Sequence, residues 1–200
     1  MVYVVDDDEG VRASLRSLLK SVGIAAVAFP SAQEFLASYH ASQAGCLLLD
    51  IRMPGMNGLE LQIELNLRSA MIPVIFLTGH GDVPMAVEAM QHGAFDFLEK
   101  PYREQALLDS VQRALAKDRL NREALEKHDR SRAGLNSLTA REREVLDLMT
   151  QGKSSRAIAV ELNLSQRTVE AHRAHVMDKM AAGSIAQLVR MVIDMEESAS

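Results

Sequence analysis

The sequence predicts an α/β chain: a doubly wound, five-stranded parallel sheet in front and a small all-α helix-turn-helix unit behind. Three observations predict it. Short apolar runs alternate with amphipathic stretches through the first 116 residues, only helical periodicity remains after Leu138, and charge divides the chain the same way. Residues 1–116 carry 8 basic and 14 acidic side chains, residues 117–136 carry 6 and 4, and residues 137–200 carry 8 and 9. An acidic module is thus followed by near-neutral parts, none basic enough to announce nucleic acid by charge alone.

The strands come first. Residues 2–5, 24–29, 46–49, 74–77 and 95–98 are apolar and strand-length, as suits strands buried on both faces, although period alone does not separate them from buried helix. Helix signals lie between them. Val11, Leu15, Leu18 and Leu19 repeat at helical spacing, as do the apolar residues of 85–90 and 107–115. Ser31-Ala-Gln-Glu34 has the form of a capping box, with Phe35 and Leu36 next on one face. Five strands alternating with five helices make a parallel sheet of flavodoxin-like size, whose functional crevice lies at the carboxyl ends of the strands.

Composition excludes several classes. With 48% hydrophobic and 24% charged residues over 200 positions, the chain is globular and large enough for two small modules. The longest apolar run, 22–29, is far short of the roughly 20 residues that a membrane span needs. No charged-then-apolar leader follows Met1, so secretion is not expected. Cys46 is the sole cysteine, which leaves no internal disulfide and no Cys/His cluster for structural zinc. A cytoplasmic protein with no membrane partner is the expectation.

The polar residues closing the strands point to chemistry. Asp6, Asp7 and Asp8 follow the first strand, Asp50 the third, Thr78 the fourth and Lys100 the fifth. Singly, an Asp after a strand is usually a cap or turn residue, and a Thr or Lys is ordinary surface. Together they put carboxylates, a hydroxyl and an ammonium on one rim. Clustered carboxylates repel unless a cation sits between them, and an all-oxygen site suits Mg²⁺. Beside a lysine, such a site is suited to neutralise a phosphoryl group.

The stretches VVDDDEGVR (4–12), LLLDIRMPGMNGLEL (47–61), VIFLTGHGD (74–82) and FDFLEKPY (95–102) resemble the receiver domain of bacterial two-component response regulators. The resemblance covers residues 1–116 and implies a role for each rim residue. Asp50 is implied as the phosphoacceptor, with Asp6, Asp7 and the backbone carbonyl of Arg52 joining it around Mg²⁺ or Mn²⁺. Thr78 and Lys100 are implied to contact the phosphoryl oxygens, and Lys100-Pro101 to be a cis peptide. Phe97 falls where the family has its aromatic switch residue; a plain core aromatic is the competing reading. Arg52 and His80 occupy positions that tune phosphate lifetime in the family.

Residues 117–134 are charged and lack proline, and they read as a charged helical linker continuing the last receiver helix. Leu115, Leu120 and Leu125 are five apart, which makes no heptad seam. Residues 135–200 form the second module. Thr139-Ala-Arg-Glu142 is a capping box, and Gly152 ends the helix it opens. A short helix around Ile158 and Leu162, a turn at Asn163-Leu164, and a longer helix capped by Ser165 give helix-turn-helix spacing. A last helix carries Ile185, Leu188, Val189 and Val192. Residues 138–184 resemble the LuxR-type DNA-binding domain over their length. The whole chain is therefore similar to the NarL/FixJ family of transcriptional regulators, with the likeness greatest to FixJ-type members.

On a helical wheel with Val169 facing the core, Val176 and Met180 fall on the same side and Arg167, Ala171 and Ala174 opposite, flanked by Glu170 and His175. That outer stripe is expected to read bases in the major groove. Lys153, Ser155, Arg156, Gln166, Thr168, Arg173 and Lys179 are expected to hold phosphates. Residues 153–180 hold 5 basic and 3 acidic groups, so tight binding calls for a dimer on two half-sites. His172 and His175 read as ordinary residues rather than metal ligands, since no third ligand stands near them in sequence.

The resemblance implies a phosphorylation-switched transcription factor rather than an enzyme with an external substrate. Its implied partners are a sensor histidine kinase, double-stranded promoter DNA, RNA polymerase and, once phosphorylated, a second copy of itself. Dimerisation is expected through the face of the fourth helix, fifth strand and fifth helix. Two rivals fail on residues. An aspartyl-phosphate phosphatase needs D-x-D-x-T after the first strand, where Asp6-Asp7-Asp8-Glu9-Gly10 has no threonine. A small-molecule sensor needs a ligand pocket, whereas the front segment has an acidic rim and few aromatics.

Overall fold

The computed structural model describes residues 1–40, 42–79 and 83–197. Its elements are β1 (Val2–Val5), α1 (Glu9–Ser21), β2 (Ala26–Phe29), α2 (Ala32–Ser38), β3 (Cys46–Asp50), α3 (Gly58–Leu67), β4 (Val74–Thr78), α4 (Val83–Gln91), β5 (Asp96–Glu99) and α5 (Glu104–Asn136), then α6 (Ala140–Thr150), α7 (Ser155–Glu161), α8 (Gln166–Lys179) and α9 (Ile185–Glu197). They divide into two compact units, Met1–Arg122 and Glu123–Ser200. Among the described residues, no helix is long and apolar enough to cross a membrane.

In the first unit all strands pair in parallel, in the order β2-β1-β3-β4-β5. Alternation along each strand fills two cores. Tyr3, Val5, Leu47, Leu49, Val74 and Phe76 pack with α2, α3 and α4, while Val2, Val4, Leu48, Ile75 and Leu77 pack with α1 and α5. The three central strands are buried along their length, as continuous apolar runs require. The edge strands β2 and β5 are only partly covered, and they are shorter or shifted relative to the expected 24–29 and 95–98.

The apolar periodicity over α3 is not helical. Leu59, Leu61, Ile63, Leu65 and Leu67 alternate at the strand period. A reciprocal capping box decides the matter locally: Asn57 Oδ1 accepts the Glu60 amide at 2.9 Å, and Glu60 Oε2 accepts the Asn57 amide at 2.8 Å.

The first unit reaches six residues beyond position 116, for a reason visible in α5. The buried Asp118 carboxylate accepts the Gly45 amide at 2.8 Å, and Arg122 Nε donates to Asp118 at 2.9 Å. Arg122 also donates to the carbonyls of Ser42 and Gln43. These contacts tie the middle of α5 to the loop before β3. The residues expected to form the linker lie within the helix α5.

The second unit is all helix around Leu138, Val145, Leu146, Met149, Ile158, Val169, Val176, Met180 and Leu188. Gly134 packs tightly: a Cβ there would meet the Lys179 carbonyl oxygen at 2.5 Å. Thr139, Ser154 and Ser165 each cap the helix that follows through a side-chain oxygen. Asn163, at φ +54°, makes the turn between α7 and α8.

Truncating Asp118 leaves the Gly45 amide without an acceptor and Arg122 without its carboxylate. Asp118→Ala should cost about 1–3 kcal/mol. Tyr3, Tyr39 and Tyr102 are the three tyrosines and all lie in the first unit, so tyrosine fluorescence during urea unfolding reads it selectively. An unchanged midpoint would show that α5 is not anchored there.

Candidate functional site

Three strand ends meet at one group. Lys100, just after β5, places Nζ 2.9 Å from Asp6 Oδ2 and 2.6 Å from Asp50 Oδ1. Asp6 and Asp50 are 1% and 8% exposed. Their other oxygens are also held. Asp6 Oδ1 accepts the Asp8 amide at 2.9 Å, and Asp50 Oδ2 accepts the Arg52 amide at 2.7 Å. Thr78 is buried at the end of β4, and its carbonyl accepts the Lys100 amide at 2.6 Å. The Lys100-Pro101 peptide is cis. A Cβ at Gly58 would lie 2.4 Å from the Asp50 carbonyl oxygen, so only glycine lets α3 begin this close to the strand end.

Electrostatics follows from burial. Desolvation raises the Asp50 carboxyl above the usual range, against the opposing pull of the Lys100 hydrogen bond and charge. Burial acts to lower Lys100, but hydrogen bonds to Asp50 and Asp6 outweigh it and its pKa rises. Half-buried Tyr102 is raised by burial and feels the same Lys100, Asp6 and Asp50 charges; the sequence had not singled it out. Nor had it shown that Arg12 Nη1 donates to the Asp6 carbonyl at 2.8 Å. Asp7 and Arg52 are exposed beside the cluster. The carboxylates of Asp6, Asp7 and Asp50 outnumber the one ammonium, and oxygen donors of this kind fit a hard dication such as Mg²⁺. Phe97 is 44% exposed, so the competing reading as a plain core aromatic fails: β5 is an edge strand and turns this residue outward. His80 lies outside the described residues.

In the second unit α8 presents the expected faces. Val169, Val176 and Met180 are buried, and Arg167, Glu170, Ala171, Ala174 and His175 are exposed. Several of the phosphate candidates have partners within the unit. Lys153 pairs with Glu161 at 2.5 Å, Gln166 Nε2 donates to Glu170 at 3.0 Å, Arg173 Nη1 donates to the Lys153 carbonyl at 3.4 Å, and the Thr168 and Ser165 hydroxyls are 2.8 Å apart. Ser155 and Arg156 open α7 and are exposed or partly so.

Residues 2–112 match the family described as response regulator receiver domain, and residues 136–192 match bacterial regulatory proteins of the luxR family. This chain belongs to the response regulators, in the NarL/FixJ family. Nodulation protein W of Bradyrhizobium diazoefficiens is 47% identical to this response regulator over 191 residues, 96% of this chain and 84% of the other. The transcriptional regulatory protein FixJ of Azorhizobium caulinodans is 46% identical, over 96% and 91%. A structure of the response regulator StyR superposes with a TM-score of 0.87 at 46% identity, over 96% and 98% of the two chains. Full-length FixJ from B. japonicum gives 0.61 at 39%, over 98% and 97%. The response regulator is a transcription factor, with a receiver and a LuxR-type DNA-binding domain.

Two features of its second unit were not legible from spacing. Lys179, expected on phosphate, donates to Glu142 Oε2 at 2.7 Å and to the Ser137 carbonyl at 3.1 Å. Glu142 is 4% exposed and also closes the Thr139 capping box. The reading of His172 and His175 as lacking a third ligand is corrected here. Folding brings Glu142, from α6, to within 4.8 Å of a nitrogen of each ring.

The Lys179 hydrogen bond, with the Thr139 amide next, pulls the Glu142 carboxyl from 4.5 down to about 2. A depressed carboxyl stabilises the fold above its ordinary value and loses that contribution as pH falls through the folded value. Lys179→Met should therefore weaken the unit at pH 7, and its deficit should shrink as pH drops from about 4.5 toward about 2. Amide hydrogen exchange along α8 measures this; a deficit independent of pH would mean that Lys179 acts through packing and its Ser137 hydrogen bond rather than through Glu142.

Proposed function

We propose that this response regulator accepts a phosphoryl group on Asp50 from a phosphohistidine of a sensor histidine kinase, then forms a homodimer and binds double-stranded promoter DNA. The observation that carries the reading is the Lys100 ammonium shared by Asp6 and Asp50 at the carboxyl edge of the sheet. An oxygen of the Asp50 carboxylate attacks phosphorus, the phosphorus–nitrogen bond breaks, and the imidazole leaves. Lys100 then offsets charge on the phosphoryl oxygens. Asp6, Asp7, Asp50 and the Arg52 carbonyl would hold Mg²⁺ (or Mn²⁺), which supplies further positive charge when bound. The Thr78 hydroxyl would turn to the new phosphoryl group, with Phe97 following. The chain performs this chemistry on itself alone.

The working division is a receiver over 1–116, a helical connection over 117–134 and a DNA-binding domain over 135–200, in a cytoplasmic protein. Val87, Met90 and Phe97 are exposed apolar residues of α4 and β5, which supports dimerisation through that face. Exposure along α8 supports base reading by Arg167, Glu170, Ala171, Ala174 and His175. Lys153, Ser155, Arg156, Gln166, Thr168, Arg173 and Lys179 would meet phosphates, those in ion pairs exchanging one anion for another. RNA polymerase is the partner that a promoter-bound transcription factor implies.

Asp50→Asn is nearly isosteric but has no anionic oxygen. Incubated with acetyl phosphate and Mg²⁺, wild type should gain the mass of one phosphoryl group and shift toward dimer in sedimentation. The variant should do neither; equal labelling of the variant would move the acceptor elsewhere.

For DNA, Arg167→Ala should lose about 1–3 kcal/mol of discrimination at one position per half-site. Titrations of cognate and scrambled duplexes over a salt series test this. An equal loss on both would make Arg167 a phosphate contact.

A further inference from the structure

We infer that Glu142, His172 and His175 form a site for one borderline dication of the Zn²⁺ class, joining α6 to α8. The site is independent of the phosphoacceptor reading and lies in the other unit. His172 and His175 stand one turn apart on α8, so their rings emerge on neighbouring sides of the helix. One nitrogen of each and one carboxylate oxygen of Glu142 lie within 4.8 Å of one another. Two imidazoles and one carboxylate are the donor set of an open zinc site, with water as a fourth ligand.

Distances favour the assignment. A tetrahedral ion with bonds of about 2.1 Å holds its donors about 3.4 Å apart. His175 Nδ1 stands 3.6 Å from Glu142 Oε1, close to that span and too far for a good hydrogen bond. The two carboxylate oxygens divide the work. Oε2 takes the Thr139 amide and hydroxyl and the Lys179 ammonium, and Oε1 faces His175. That arrangement holds Glu142 in place as a second shell holds a ligand.

A separate observation points the same way. His172 Nδ1 is buried and has no hydrogen-bond partner among the described residues. A buried ring nitrogen left unpaired costs stability, and such groups call for an explanation. Ligation by that nitrogen would break no existing hydrogen bond at it. Lys179 opposes the ion by repulsion, while Glu142 offers a different oxygen to each cation. Occupancy would also draw His175 away from the exposed stripe of α8.

The test titrates the full-length protein with Co²⁺ in excess Mg²⁺, so that the hard oxygen donors of the receiver are already served. Visible d–d absorption reports tetrahedral nitrogen and oxygen ligation. One equivalent should bind and slow amide exchange in α6 and α8. His172→Gln and His175→Gln should each weaken Co²⁺ binding by about tenfold or more. His175 is 62% exposed in its side chain, so His175→Gln should keep the wild-type helical circular dichroism and isolates ligation from folding. Absence of a visible band, or a band of unchanged affinity in the His172→Gln/His175→Gln double variant, would overturn the assignment.

Discussion

The Lys100 ammonium holds the carboxyl edge of the sheet together. Two carboxylates that are almost wholly buried face each other there, and burying an ion costs several kcal/mol even after relaxation. A single cation within 3 Å of both makes that burial tolerable. Its own strand lies at the sheet edge, so every register between β1 and β5 must be correct for the ammonium to arrive. The apolar strands secure those registers, because a slip of one residue would exchange the two cores. Each well-buried Val, Leu or Phe contributes about 1.5–3 kcal/mol. A handful of such residues outweighs the charge cluster they position.

The second unit repeats the device on a smaller scale. Glu142 is a helix-capping residue and also the anionic partner of Lys179. One carboxylate thereby joins the start of α6 to the end of α8. Both sites place ionised groups where water is scarce, and in both the neighbouring cation arrives from a distant part of the chain. What differs is exposure of the surroundings: the receiver cluster sits at strand ends, while the face of α8 that carries Arg167 and Glu170 remains open for a large partner.

Much of this was readable in the chain. The five strands, the helix-turn-helix spacing, the Thr139 box and the Ser165 cap are local patterns, and local physics makes them. The rim of Asp6, Asp50, Thr78 and Lys100 was legible because strand ends in a parallel sheet converge on one edge. Helix α3 was not legible in its periodicity, since its apolar residues alternate at the strand period; the Asn57–Glu60 box marks its start, and packing beneath β3 and β4 makes the rest helical. The extension of the first unit to Arg122 was equally hidden, because Asp118 finds Gly45 across 73 positions of sequence.

By itself, then, the sequence determined the kinds of element, their order, and which residues close the strands. It determined the family as well, since the motifs carry both spacing and residue type. Tertiary structure alone decided which charges share a water-poor space: Lys100 between Asp6 and Asp50, Lys179 on Glu142, and Glu142 beside two histidines. It alone decided that Phe97 faces outward. The physical reason is the range of the forces. Helix and strand preferences act between residues a few positions apart, whereas Coulomb energy and desolvation depend on distance in space and on local water, which exist only once the chain has folded.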